Sequence, residues 1–156
     1  MKPTVSLLAA ATLAVPTFAW AKPVTIEAKL RSYGGDGAYV VVYVTDKAGA
    51  YKGTLWMSGW RQRYYRHLSD WFRASGGREK EYDGITGASV GAGKTLKVDA
   101  ELADTLIDAG FEVHVDTAVE HLRDYPSDVV APLTTAGAGT PVRGRGYVES
   151  FTYRLR

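Results

Sequence analysis

A mainly β protein is what this sequence predicts: an antiparallel β-sandwich of the immunoglobulin-like kind with one inserted α-helix. Three observations carry the prediction. Several short segments rich in β-branched and aromatic residues show strand patterning. Glycine, aspartate and serine clusters punctuate them at short intervals. Only one stretch switches to a helical period, so helices do not alternate with strands as they would around a parallel sheet.

The chain has 156 residues and opens like a secretory signal. Lys2 supplies the positive start, Val5 to Val15 an apolar centre too short to span a bilayer, and Ala19-Trp20-Ala21 a small-x-small cleavage site. Residues 1–21 are therefore expected to be a signal peptide and residues 22–156 a single sandwich domain, periplasmic and with no membrane-spanning segment once the signal is removed. No twin arginine precedes the apolar run, so the chain is expected to cross unfolded and to acquire any cofactor afterwards. With no cysteine, it has no thiol-linked lipid, disulfide, thiolate metal site or Cys-linked haem. Losing residues 1–21 removes one lysine and no acid, lowering the formal charge from +2 to +1, which is no nucleic-acid footprint.

In order, Val24 to Leu30 alternates apolar and polar residues, the period of a strand with one buried face, and Ser32 to Gly37 is a glycine-rich turn. Ala38 to Thr45 is β-branched or aromatic almost throughout, which predicts a central strand buried on both faces. Asp46-Lys47-Ala48-Gly49 closes it as a hairpin turn, and Lys52 to Met57 returns as its partner. From Gly59 to Ser75 the period changes: Tyr64, Leu68, Trp71 and Phe72 draw an apolar stripe down a helix that Gly76-Gly77 ends. The opposite face carries Arg61, Arg63, Arg66 and Arg73, with Arg78 and Lys80 beyond, either a solvated face or a local field for a phosphate or acidic partner. Lys94 to Ala100 alternates as a strand. Leu102 to Gly110 is a turn with room for a short edge strand, and Phe111 to Val119 is a strand with Phe111, Val113 and Val115 inward. Arg123 to Ala138, holding two prolines, is expected to be a long connection, and Gly146 to Leu155 the last strand, with Tyr147, Phe151, Tyr153 and Leu155 on one face.

Several site chemistries can be tested against the spacing. Gly87 to Thr95 approaches a phosphate-binding P-loop, but five residues instead of four separate Gly87 from Gly93, and a strand rather than a helix follows. His67, His114 and His121 show no metal-ligand spacing. Ser89 lacks the Gly-x-Ser-x-Gly elbow of a hydrolase. The aromatics Trp56, Trp60, Tyr64, Tyr65, Trp71 and Phe72 are mostly core, with Trp60 or Tyr65 left to cover a flat ring system.

What remains is the segment Asp83-Gly84-Ile85-Thr86-Gly87-Ala88-Ser89. Read plainly it is a tight turn and a small-residue loop between strands. Its order Asp-x-x-Thr-Gly-Ala-Ser also resembles the acceptor sequence of bacterial FAD:protein FMN transferases, which join FMN through a phosphoester to the last hydroxyl residue, here Ser89. An unactivated serine is a poor nucleophile, so the base and metal would come from the visiting enzyme. Asp83 would contact that metal or fix the loop, with Thr86 the other hydroxyl of the motif, Gly87 letting the backbone bend and Ala88 avoiding a clash. Together with Val41 to Asp46, Thr54-Leu55-Trp56, Tyr64 to Trp71 and Gly146 to Tyr153, the order of segments is similar to the predicted periplasmic family called domain of unknown function 2271. That resemblance implies an electron carrier with covalent FMN, working with an FMN transferase and a membrane-embedded PepSY-type reductase, in a role such as ferric-iron reduction. Ser89 stands where threonine is commoner, and Val90-Gly91-Ala92-Gly93 matches the rest of the acceptor pattern only loosely. A binding module of the same fold without flavin is the alternative, and a metal or haem chaperone a third.

Overall fold

A computed structural model describes residues 20–156. Of the expected signal segment only Trp20 and Ala21 fall within it; the rest of that expectation lies outside the described residues. The elements are β1 (Ala21–Leu30), β2 (Tyr39–Thr45), β3 (Tyr51–Ser58), α1 (Ser69–Ser75), β4 (Thr86–Gly87), β5 (Thr95–Ala103), β6 (Glu112–Ala118), β7 (Tyr125–Pro132) and β8 (Val148–Leu155). They build a three-stranded sheet, β5-β1-β8, and a five-stranded sheet, β4-β3-β2-β6-β7, so the expected mainly β, sandwich-like architecture is the one observed. Every pairing is antiparallel except the short one between β3 and β4.

The place of β2 explains its composition. It is the middle strand of the larger sheet and every one of its residues is buried. Alternation sends Val40, Val42 and Val44 into the core between the sheets, with Ile26, Leu30, Val113, Val115 and Phe151. Tyr39, Val41 and Tyr43 point the other way and meet Met57, Tyr65, Leu68 and Trp71 in a second, smaller core. Asp46 shapes the following turn, its carboxylate accepting the N–H groups of Ala48 and Ala50 at 2.9 Å each.

The predicted helix from Gly59 to Ser75 is shorter and broken. Gln62–His67 is a 3₁₀ helix, Leu68 leaves helical geometry at ψ 67°, and only Ser69–Ser75 is α-helical. A 3₁₀ turn repeats every three residues, so the buried row is Tyr65, Leu68 and Trp71 rather than the predicted Tyr64-to-Phe72 stripe. Phe72 is 38% exposed and lies against Gly77. Gly76 ends α1 in the left-handed region at φ 75°, as expected of a glycine stop.

The second correction concerns Arg123 to Ala138, half of which is strand. β7 pairs with β6 from Tyr125 to Pro132, sending Val129 and Ala131 inward. Pro126 and Pro132 are tolerated because β7 is the edge of its sheet, where a missing N–H breaks no second ladder. Leu102 to Gly110 holds no separate edge strand: β5 runs on through Ala103 and Asp104–Leu106 makes a 3₁₀ turn.

Two aspartates at strand positions tie the layers together. Asp116 on β6 is fully buried and accepts from the Trp71 N–H at 2.8 Å, the Ser127 N–H at 2.8 Å and the Tyr43 hydroxyl at 3.0 Å. No side chain of α1's own segment caps its first turn, so this carboxylate from the sheet takes the cap's place. Burial pushes the Asp116 carboxyl up from its ordinary range, against the pull of those donors. Asp128 on β7, equally buried, accepts from the Gly146 N–H at 2.7 Å, the Thr117 hydroxyl at 2.7 Å and the Val148 N–H at 3.1 Å, which sets the start of β8.

Candidate functional site

The chain reaches Ser89 by a sequence of fixed steps. Asp83 and Gly84 form a turn, Gly84 at φ 76°, closed by the Ile85 N–H donating to the Tyr82 carbonyl at 3.2 Å. The Asp83 side chain is exposed on that turn. The Thr86 hydroxyl donates to the Tyr82 carbonyl at 2.8 Å, so it holds the turn from inside. Thr86 and Gly87 then add β4 to the edge of β3, with the Met57 N–H on the Ile85 carbonyl at 3.0 Å and the Gly59 N–H on the Gly87 carbonyl at 2.8 Å. Gly87 is required here by close approach: a Cβ on it would lie 2.5 Å from the Trp56 ring. On the far side Val90 exchanges two backbone hydrogen bonds with Ala38, at 2.7 and 2.9 Å. Between these anchors Ala88 and Ser89 form an exposed two-residue step.

Ser89 opens onto a cleft of about 330 Å³, shared with Asp36, Gly37, Tyr39, Trp60, Arg61 and Glu120. Gly37 is the neighbour that makes room, since a Cβ there would stand 2.6 Å from Ser89 Oγ. Trp60 is 66% exposed, whereas Tyr65 is 3% exposed and donates its hydroxyl to the Gly59 carbonyl at 2.7 Å. The sequence left either aromatic as a ring cover; Tyr65 is core and Trp60 faces the cleft. Tyr39 donates to Glu120 Oε1 at 3.1 Å, and burial, reinforced by that carboxylate, pushes its phenol up to about 12. Burial works to raise the Glu120 carboxyl, but hydrogen bonds from Tyr64 and Tyr39 and the charges of Arg61 and Arg63 hold it below the usual carboxylate range. The Arg61 guanidinium sits 3.5 Å from both Glu120 oxygens, at the long end of an ion pair. Among the described residues no histidine or lysine lines this cleft; its carboxylates are Asp36 and Glu120, and Glu120 is engaged by Tyr39 and Arg61.

The basic face before the motif is solvent-exposed. Arg73 pairs with Asp70 at 3.3 Å, Arg78 with Glu81 at 2.9 Å, and Arg63 lies over the Tyr64 ring. Lys94 and Thr95 lead into β5, so the P-loop look-alike opens no helix.

A second polar cluster lies under α1 beside a cavity of about 280 Å³. His114 Nε2 is 3.0 Å from Thr45 Oγ1 and 3.3 Å from Glu112, and its Nδ1 is 3.4 Å from Ser127 Oγ. Serine, histidine and glutamate stand in a row, yet the Ser127 hydroxyl donates to Asp70 at 2.7 Å rather than to His114. The serine proton is thus committed to a carboxylate that ties α1 to β7, and the row is not arranged for nucleophilic attack. His67 pairs with Asp124 at 2.9 Å.

Gly37, Tyr39 and Glu120 escaped sequence reasoning because they lie far from Ser89 in the chain. The signal available was the glycine-rich turn before β2, whose role in clearing space for another segment's side chain only the fold displays.

A family model described as "Predicted periplasmic protein (DUF2271)" matches residues 21–150, from the first residue of β1 into β8. No curated protein and no solved structure matches the chain. Among the described residues no helix is long and apolar enough to cross a membrane. The chain therefore belongs to the domain of unknown function 2271 family, and it is a periplasmic protein.

Proposed function

We propose that this protein is a periplasmic electron carrier with FMN joined through a phosphoester to Ser89 by an FAD:protein FMN transferase, exchanging electrons with a PepSY-type membrane reductase. The observation that carries the reading is the exposed step at Ala88-Ser89, pinned by β4 on one side and the Val90–Ala38 bridge on the other. A hydroxyl so presented can enter a foreign active site without unfolding its own domain. Ser89 Oγ would attack the FMN phosphorus of FAD; the new O–P bond replaces the pyrophosphate P–O bond, AMP leaves, and the transferase's base takes the serine proton. Thr86 and Gly87 belong to the anchor, Ala88 keeps the step narrow, and the exposed carboxylate of Asp83 is available to the visiting enzyme's metal. What supports a flavin phosphoester at Ser89 is an open hydroxyl, a cleft beside it, an exposed indole and an arginine, set against two carboxylates, Asp36 and Glu120, of which Glu120 is already held by Tyr39. The flavin would supply the redox chemistry, and the protein its attachment, shielding and charge.

Co-expression with the transferase followed by intact-mass measurement tests the reading. The expected result is the mass of one FMN on the wild type and none on Ser89→Ala. Unlabelled, colourless wild type would remove the electron-carrier reading and leave a periplasmic binding module.

A further inference from the structure

The cleft beside Ser89 contains two largely exposed side chains, Trp60 and Arg61. Trp60 is a large apolar residue left 66% exposed, although the residue before it is fixed by hydrogen bonds and close packing. Gly59 donates to Gly87, accepts from the Tyr65 hydroxyl, and lies so close to Tyr39 that a Cβ at φ 108° would meet the ring at 2.1 Å. An exposed indole on a rigid mount is organised for a ligand rather than for burial. Arg61, the next residue, has a side chain 61% exposed and only a long contact to Glu120, a carboxylate that also accepts from Tyr39, so its guanidinium can turn to an anion and leave Glu120 with a donor. Both lie on the cleft into which Ser89 opens. A volume of about 330 Å³ is at the small end of ligand sites, enough for a flat ring lying on a wall and too little to enclose a whole dinucleotide.

We infer that Trp60 and Arg61 form the seat of the flavin tethered at Ser89, the indole stacking on the isoalloxazine ring and the guanidinium pairing with the phosphoester. The inference rests on the attachment proposed above. It makes Trp60 a positioning residue that folds the tethered ring onto the protein, where otherwise it would swing freely in solvent.

Flavin stacked on indole loses its emission by electron transfer from the indole, so native fluorescence reports the seat, while intact mass reports attachment separately. Wild-type protein co-expressed with the transferase should carry one FMN, emit weakly when native and emit strongly after proteolysis. Trp60→Ala should carry the same mass and emit about fivefold more when native, the ratio that an aromatic stack of ordinary strength sets between docked and free rings. Trp60→Phe should keep the visible circular dichroism of a seated flavin while recovering emission, and Arg61→Gln should show an intermediate gain. Labelled wild type as bright when native as after proteolysis, or labelled Trp60→Ala no brighter than wild type, overturns the seat and leaves the attachment standing. A wild type with no added mass overturns both.

Discussion

Asp116 and Ser89 are polar residues held in opposite ways by the same five-stranded sheet. The Asp116 carboxylate lies beneath α1 with three donors converging on it, from β2, from the first turn of α1 and from β7. Ser89 stands past the end of the two-residue β4, with Gly37 opposite leaving room for its hydroxyl and a cleft in front of it. In the first corner polar atoms are used up holding the layers together. In the second, backbone is pinned but the side chain is left open, which costs burial and returns nothing to the fold. Saturation is what a structural group shows, whereas an open hydroxyl on a pinned backbone is what the proposed attachment requires.

The largest effect should come from Asp116→Ala, which leaves the Trp71 and Ser127 N–H groups and the Tyr43 hydroxyl without their acceptor. We expect a loss of at least about 3 kcal/mol in urea unfolding, at 1–3 kcal/mol for each stranded buried donor. A loss below about 1 kcal/mol, within the ordinary range for a point substitution, would break the contrast. Gly37→Ala should cost about 1 kcal/mol and reduce FMN incorporation, because its Cβ must displace the Ser89 hydroxyl; unchanged labelling would show that the opening in front of Ser89 is wider than the glycine implies. Ser89→Ala should abolish labelling while changing stability by no more than about 0.5 kcal/mol. A large stability loss there would make Ser89 a structural residue like Asp116.

The smallest effect concerns acid. Glu120 has its folded carboxyl held below the unfolded value, so its contribution is present above the ordinary glutamate range, about 4.3, and is lost as pH falls through the folded value. Glu120→Gln should therefore narrow the difference in Tm between pH 7 and pH 3. Asp116 acts with the reverse sign, since its raised folded value makes its contribution decline as pH rises through it. An unchanged Tm difference in Glu120→Gln would show that the Tyr39 and Arg61 contacts contribute nothing to folding.

Much of this was legible in the chain because local pattern and environment agree. The unbroken apolar run of β2 reads as burial on both faces, and both faces are buried; Asp46 and Gly76 sit where turn and stop chemistry demands. Pattern failed where a tertiary neighbour overrides it. Pro126 and Pro132 read as loop residues, and only the edge position of β7 makes them strand residues. Tyr65, Leu68 and Trp71 repeat at three rather than 3.6, which the α-helical template turned into a stripe through Tyr64 and Phe72. Asp116 occupies a strand position with nothing in sequence to say that α1 would cover it. Of the site, the linear motif up to Ser89 could be seen, but the walls of its cleft come from the turn before β2, the segment after β3 and the residues after β6.

The two edges of the larger sheet have a bearing on life outside the cytoplasm. On one side the terminal strand is two residues long, and on the other it carries a proline at either end. Neither offers an uninterrupted ladder of free N–H and C=O groups on which a second copy could template itself. The larger sheet is thereby guarded against pairing with a second copy by the brevity of one margin and the chemistry of the other, which leaves β5 and β8 of the smaller sheet as the edge strands that are neither short nor broken by proline.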